Sequence, residues 1–267
     1  MNLQPIGVFD SGLGGLTVVK EFMNILPGED IVYFGDTGRV PYGTRSFGTI
    51  EKYTKQDIDF LKSMNVKMII AACGTVSSVA PHIVKECGLP STGVVEPASY
   101  AAVKATKNGK IGVIGTTATI RSRSYNRCIA NISLDIEVYG MECPMFVPLV
   151  ENGWIDKNDK IAKLMVERYL LPLASEGIDT LILGCTHFPI LEPVINSVLG
   201  DGIKLINTGR EAAIKAKEIL SQADSLNESG HTGQCHFYVS DSVEGFSKIS
   251  GIFLGKDTHN SVELIKI

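Results

Sequence analysis

Lys67-Met68-Ile69-Ile70-Ala71-Ala72 runs straight into Cys73-Gly74-Thr75, and Thr180-Leu181-Ile182-Leu183-Gly184 runs straight into Cys185-Thr186-His187. Each is a short apolar run ending in a thiol, with hydroxyl or imidazole side chains just beyond. Runs of this length between longer amphipathic stretches read as strands buried on both faces, as in a parallel sheet. The pair belongs to a larger repeat. Ahead of the first run lie Ile6-Gly7-Val8-Phe9, ending in Asp10-Ser11-Gly12, and Asp30-Ile31-Val32-Tyr33-Phe34-Gly35. Ahead of the second lie Lys110-Ile111-Gly112-Val113-Ile114, ending in Gly115-Thr116-Thr117, and Asp135-Ile136-Glu137-Val138-Tyr139-Gly140. Short strands at 92–95 and 204–206 close the two series. The offset between copies stays at about 105–112 residues, the mark of an internal repeat.

Helices are expected over 15–26, 46–64 and 210–221, with a loop at 35–43 and a polar surface loop at 222–234. Residues 235–240 alternate like a strand, and with no third copy available this tail is expected to return to the first half. The expected fold class is α/β. It consists of two pseudo-symmetric α/β domains, each a largely parallel sheet flanked by helices, with the active site in the cleft between them. The expected domains are 1–97 plus 209–267, and 98–208.

Bulk properties narrow the function. The 267 residues suit one large domain or two of ordinary size. Hydrophobic residues at 44% and charged residues at 20% are the proportions of a globular protein. A net charge of −4, with Arg121-Ser122-Arg123 the nearest approach to a basic patch, argues against a nucleic-acid partner. No apolar run reaches the length of about 20 residues needed to cross a bilayer, and no secretory signal opens the chain, so no membrane partner and a cytoplasmic address are expected. The six cysteines (Cys73, Cys87, Cys128, Cys143, Cys185 and Cys235) show no C-x-x-C pair, so free thiols are expected and no metal site. Gly12-Leu13-Gly14-Gly15 invites a dinucleotide reading but has Thr17 where G-x-G-x-x-G needs its third glycine, and no phosphate-cradling G-x-x-x-x-G-K-[ST] occurs.

Ligands in open α/β sheets bind beyond the carboxyl ends of the strands. Those ends carry Asp10, Ser11, the loop Asp36-Thr37-Gly38-Arg39-Val40-Pro41-Tyr42-Gly43, Cys73 and Thr75 in the first half. The second half carries Thr116, Thr117, Glu151, Cys185, Thr186 and His187. If the halves face one another about a pseudo-twofold axis, the two thiols enter one cleft from opposite sides. Inverting a stereocentre by proton transfer needs a base on one face and an acid on the other, with the roles exchanged in reverse, and two equivalent residues meet that need. No electron-sink cofactor is then required. A helix N-terminus behind each strand would favour thiolate. Asp10 is the expected proton partner of Cys73, and His187, with Glu151, that of Cys185. Hydroxyls of Ser11, Thr75 and Thr186 and backbone N–H groups are the donors for a developing carbanion. Blander readings stay open: Asp10 as a helix cap, His187 as a structural imidazole, Tyr42 as scaffolding, Glu151 as a solvated acid, and each cysteine as packing. So do other functions: a two-lobed amino-acid binding protein, or a hydrolase using Cys185 and His187.

On Gly7-Val8-Phe9-Asp10-Ser11-Gly12-Leu13-Gly14-Gly15-Leu16-Thr17, Gly35-Asp36-Thr37-Gly38-Arg39-Val40-Pro41-Tyr42-Gly43, Ala72-Cys73-Gly74-Thr75 and Gly184-Cys185-Thr186-His187-Phe188-Pro189, the chain resembles the bacterial glutamate racemases of the aspartate/glutamate racemase superfamily. The resemblance covers essentially the whole chain. It implies interconversion of L- and D-glutamate without pyridoxal phosphate or metal, to supply D-glutamate for peptidoglycan, in a homodimer. It further implies that Cys73 takes the α-proton from the D-enantiomer and Cys185 from the L-enantiomer. Substrate contacts would fall on Asp10, Ser11, Tyr42, Gly43, Gly74, Thr75, Thr186 and His187, with Thr117 a further candidate. One position departs: the family commonly has asparagine where this chain has Gly74, which removes a side-chain amide and puts glutamate affinity, and the preference over aspartate, in question.

Overall fold

A computed structural model describes residues 1–255 and 262–267. Its strands are β1 (Ile6–Asp10), β2 (Ile31–Gly35), β3 (Met68–Ala71), β4 (Ser91–Gly93), β5 (Lys110–Gly115), β6 (Glu137–Glu142), β7 (Thr180–Leu183), β8 (Lys204–Asn207), β9 (Cys235–Val239) and β10 (Val262–Leu264). They form two sheets, ordered β10-β9-β2-β1-β3-β4 and β6-β5-β7-β8. Every pairing is parallel. The orders β2-β1-β3-β4 and β6-β5-β7-β8 are one topology used twice. The tail adds β9 and β10 outside β2, so the chain returns to the first sheet as the sequence pattern suggests.

Continuous apolar strands need cover on both faces, and every residue of β1, β2, β3 and β7 is buried. The long helices begin where side chains can satisfy their first N–H groups. Ser46 caps Phe47–Ser63 by accepting from the Thr49 N–H, and Asn207 caps Thr208–Gln222 by accepting from Gly209 and Arg210. The helices Leu16–Ile25 and Thr208–Gln222 pack together. One apolar cluster runs from Ile6 and Leu16 of the first half to Ile114, Leu183 and Phe188 of the second, so the two halves share a core.

Several boundaries differ from the sequence expectation for identifiable reasons. β4 ends at Gly93 because the Val94-Val95 pair read as strand instead opens the helix Val95–Ala105, whose Pro97 is tolerated in a first turn that needs no N–H there. That helix carries the chain across residue 97. β6 starts two residues later than expected because Glu137 is the partner of Lys110 at the start of β5. After Cys73 come two short helices, Gly74–Val79 and Pro81–Lys85, divided at Pro81. The loop at 35–43 contains two short 3-10 turns, Thr37–Arg39 and Tyr42–Thr44. Val243–Leu254 is helical, and Val262–Leu264 adds an edge strand that the sequence pattern did not signal. Among the described residues, no helix is long and apolar enough to cross a membrane.

Just before β3, Lys67 Nζ lies 2.6 Å from the Glu29 carboxylate, with both side chains at most 3% exposed. The same ammonium donates to the carbonyls of Asn2 at 2.7 Å and Ser225 at 2.8 Å, which ties the N-terminus and the tail to the first sheet. Replacing it with an apolar side chain strands a buried carboxylate. Lys67→Met should therefore lower unfolding stability by about 3–5 kcal/mol in a urea titration.

Candidate active site

The carboxyl ends of β1 and β3 face those of β5 and β7, and the contact between them is unusually bare. A β-carbon on Gly74 would lie 2.3 Å from the Gly184 carbonyl oxygen and 3.7 Å from the Cys185 Cα. One on Gly14 would lie 2.1 Å from Thr186 Oγ1 and 2.5 Å from His187 Nδ1, and one on Gly43 would lie 2.9 Å from the Thr116 Cβ. Three glycines of the first half thus meet two strand ends of the second, those of β7 and β5. Hydrogen bonds reinforce the seam. Thr17 Oγ1 donates to the Thr186 carbonyl at 2.7 Å, and the Thr75 and Thr116 hydroxyls are 3.1 Å apart.

Cys73 and Cys185 each stand two residues beyond the last residue of their strands, Ala71 and Leu183. They are 4% and 7% exposed. Cys73 is the N-cap residue of Gly74–Val79, and its thiol donates to Ser11 Oγ at 3.5 Å. Burial, and then the Asp10 carboxylate, push this thiol up to about 12, against opposing hydrogen bonds from Ser11 and Val76. This corrects the sequence expectation that the helix N-terminus would favour thiolate there. A six-residue helix cannot offset desolvation together with a neighbouring acid. Behind Cys185 the chain forms a 3-10 turn, Phe188–Leu191, rather than an α-helix, and the helix Glu192–Leu199 starts only after it.

Asp10 combines the two readings open to it. Its Oδ2 accepts from the Gly12 and Gly15 N–H groups at 3.1 and 3.0 Å, holding the turn before Leu16–Ile25. Its Oδ1 is buried with no hydrogen-bond partner among the described residues. Burial raises the Asp10 pKa, opposed by His187 and by the three backbone N–H groups around it. On the other side His187 Nδ1 is 3.9 Å from Cys185 Sγ, and Nε2 is 3.0 Å from Glu151 Oε1 at the end of the helix Phe146–Glu151. Burial works against the imidazolium, yet Cys185 and Glu151 push the His187 pKa up to about 10. Phe253, from the tail, stands edge-on to the imidazole with centroids 5.4 Å apart.

The duplication does not extend to these partners. Ile6 pairs with Met68 and Ile111 with Thr180, so Asp10 and Gly115 occupy equivalent strand ends. Thr75 likewise stands where the second half has His187. The two thiols are matched, but their acid–base neighbours come from different places.

Of the remaining candidates, Thr75, Thr186 and Tyr42 are buried. Thr117 donates to Glu142 at 2.7 Å. The Tyr42 hydroxyl is engaged in a cluster of Asp36, Arg39 and Asp57, whose grouping with Asp57 sequence reasoning missed. Asp36 was visible as part of the 35–43 loop. Asp57 lies mid-helix, where no spacing signals a partner. Among the described residues, no three His, Cys, Asp or Glu side chains are grouped to hold a metal ion.

The model of the Asp/Glu/Hydantoin racemase family matches residues 14–216. The chain belongs to that family. It is therefore an isomerase, built on the racemase fold. It is 43% identical to the glutamate racemase of Geobacter metallireducens over 256 residues, covering 96% of this chain and 94% of that one. Among solved structures, a glutamate racemase isoform from Bacillus anthracis superposes with a TM-score of 0.95 at 36% identity, covering 100% of this chain and 99% of the other. The glutamate racemase of Francisella tularensis, solved with D-glutamate, gives 0.91 at 38% identity, covering 100% and 98%.

Gly74 has a steric reason of its own: any β-carbon at 74 would collide with the Gly184 backbone unless the halves stood further apart. Gly74→Ala should cost about 1–3 kcal/mol of stability in chemical denaturation, the usual penalty for overpacking. A second expectation concerns Cys73. Asp10→Asn removes a negative charge beside the thiol, so iodoacetamide should alkylate Cys73 faster at fixed alkaline pH, read by peptide mass spectrometry.

Proposed function

We propose that this chain interconverts L- and D-glutamate by a cofactor-independent two-base mechanism, with Cys73 and Cys185 on opposite faces of the α-carbon. The observation that carries the reading is the seam itself: matched thiols from a duplicated strand end, with Gly74 packed against Gly184 and Cys185. An α-proton removed on one side and returned on the other inverts the centre, and the reverse reaction exchanges the roles. Following the family pattern, Cys73 takes the proton from D-glutamate and Cys185 from L-glutamate.

Because both thiols are nearly covered, substrate enters only as the halves part and the reaction proceeds once they close. Closure excludes water and strengthens every polar contact on the developing carbanion. Asp10, through its unpartnered Oδ1, accepts and returns the proton of Cys73. His187, oriented by Glu151, does so for Cys185 and places a positive charge beside that thiol. Ser11, Tyr42, Gly43, Gly74, Thr75, Thr186 and His187 complete the substrate contacts. Tyr42 contributes through its backbone, since its hydroxyl is engaged by carboxylates. The two sheets with their helices are taken as the domains, 1–97 with 209–267 and 98–208. A cytoplasmic homodimer supplying D-glutamate for peptidoglycan fits this reading.

D-Glutamate incubated with the protein in heavy water, with no cofactor added, should lose optical rotation while gaining α-deuterium by mass spectrometry. Cys73→Ser and Cys185→Ser should each slow that racemisation by about 10²–10⁴-fold or more, the worth of a positioned acid or base. Undiminished turnover by either variant would sink the mechanism. Faster exchange of aspartate than of glutamate would reassign the substrate.

A further inference from the structure

Asp36, at the end of β2, and Asp57, inside Phe47–Ser63, are both 0% exposed, and one guanidinium, that of Arg39, serves the two. Arg39 Nε is 2.6 Å from Asp36 Oδ2, and Nη2 is 3.0 Å from Asp57 Oδ1. The Tyr42 hydroxyl lies between the carboxylates, hydrogen-bonded to Asp36 Oδ2 and 3.1 Å from Asp57 Oδ2. Ser240, at the end of β9, donates to Asp36 Oδ1 at 2.7 Å. Arg39 also donates to Gln56 at 2.7 Å and stacks over the Tyr53 ring with its guanidinium carbon 4.2 Å from the centroid.

The hydrogens do not suffice if both acids are ionised. Tyr42 has one hydroxyl proton, and it goes to Asp36, the carboxylate that already takes Arg39 Nε and the Ser240 hydroxyl. Asp57 Oδ2 would then face the phenol oxygen lone pair to lone pair. The charges also fail to balance, because two dry carboxylates against one guanidinium leave a net negative charge. One added proton resolves both deficits.

We propose that Asp57 is a positioning residue that holds a proton at neutral pH and donates it to Tyr42 Oη, while Tyr42 donates to Asp36 Oδ2. This chain locks the segment Pro41-Tyr42-Gly43 against Phe47–Ser63 and the tail. Gly43 of that segment meets Thr116 of the other half, so the lock sets where the loop stands in the seam. The groups facing Asp57 are Asp10 from β1, Asp36 from β2, and Arg39 and Tyr42 from the loop. Burial and then Asp36 drive the Asp57 carboxyl well above the ordinary carboxylate range, against Arg39 and Tyr42, with Asp10 adding to the rise. The functional consequence rests on the proposed role of Tyr42 and Gly43 as substrate contacts.

Asparagine reproduces the protonated acid, its oxygen accepting from Arg39 and its amide donating to Tyr42. In glutamate racemisation, Asp57→Asn should keep KM within about threefold, whereas Asp57→Ala should raise KM about tenfold with kcat changed less than about threefold, the cost of one buried partner. The infrared spectrum of the wild-type protein at pH 7 should contain a carboxylic-acid C=O band that Asp57→Asn lacks. Since the folded carboxyl binds its proton more tightly than the unfolded one (pKa about 3.9), wild-type stability should fall relative to Asp57→Asn as pH rises above that value. A band unchanged in Asp57→Asn, a stability gap flat with pH, or equal KM losses in both variants would each overturn the proposal. A wild-type protein that fails to racemise glutamate defeats the functional reading, and the infrared and stability measurements then still decide the proton on Asp57.

Discussion

The site depends on one backbone contact, the Cα of Gly74 against the carbonyl of Gly184. Each of these residues lies beside a cysteine, and each cysteine stands two residues beyond a strand buried on both faces. Any side chain at 74 would push its own turn away from the opposite one, and with it the thiol. Gly14 and Gly43 repeat the arrangement against Thr186, His187 and Thr116, so the seam closes on three points where no β-carbon intervenes. Thr17 and the Thr75–Thr116 pair then fix its lateral register with hydrogen bonds. Glycine serves here for close approach rather than for an unusual backbone angle.

Duplication accounts for the matched cysteines but not for their surroundings. The strand-end position that carries Asp10 in the first half carries Gly115 in the second, and the position that carries His187 in the second carries Thr75 in the first. One thiol is therefore covered beside a buried acid, and the other beside an imidazole held by Glu151. Burial penalises charge on both sides. A reaction that runs in both directions tolerates such unlike sides, provided each partner can both take and return a proton.

The cluster beneath the 35–43 loop serves the same site from behind. Asp36, Arg39, Tyr42, Asp57 and Ser240 join β2, the loop, the helix Phe47–Ser63 and the tail strand β9. The tail thus does more than extend a sheet edge, since Ser240 holds Asp36 and Phe253 stands against His187. Elements remote in sequence set the placement of side chains on the loop and in the second half.

Periodicity and the internal repeat were enough to place the strands other than β10, the doubled topology, the return of the tail to the first sheet and the two cysteines at matching ends. These are local or repeating signals: a dry strand must be apolar throughout, and a copied half keeps its order. The short strand at 92–95 was misjudged because Val94-Val95 suits a strand or a helix start equally until neighbours decide. The unpartnered Oδ1 of Asp10, the raised thiol of Cys73 and the Asp36–Tyr42–Asp57 cluster could not be read in advance. Each depends on how much water and charge remain around a group after distant segments pack against it. Residue type and spacing carry no record of that desolvation, and only the assembled tertiary structure determines it.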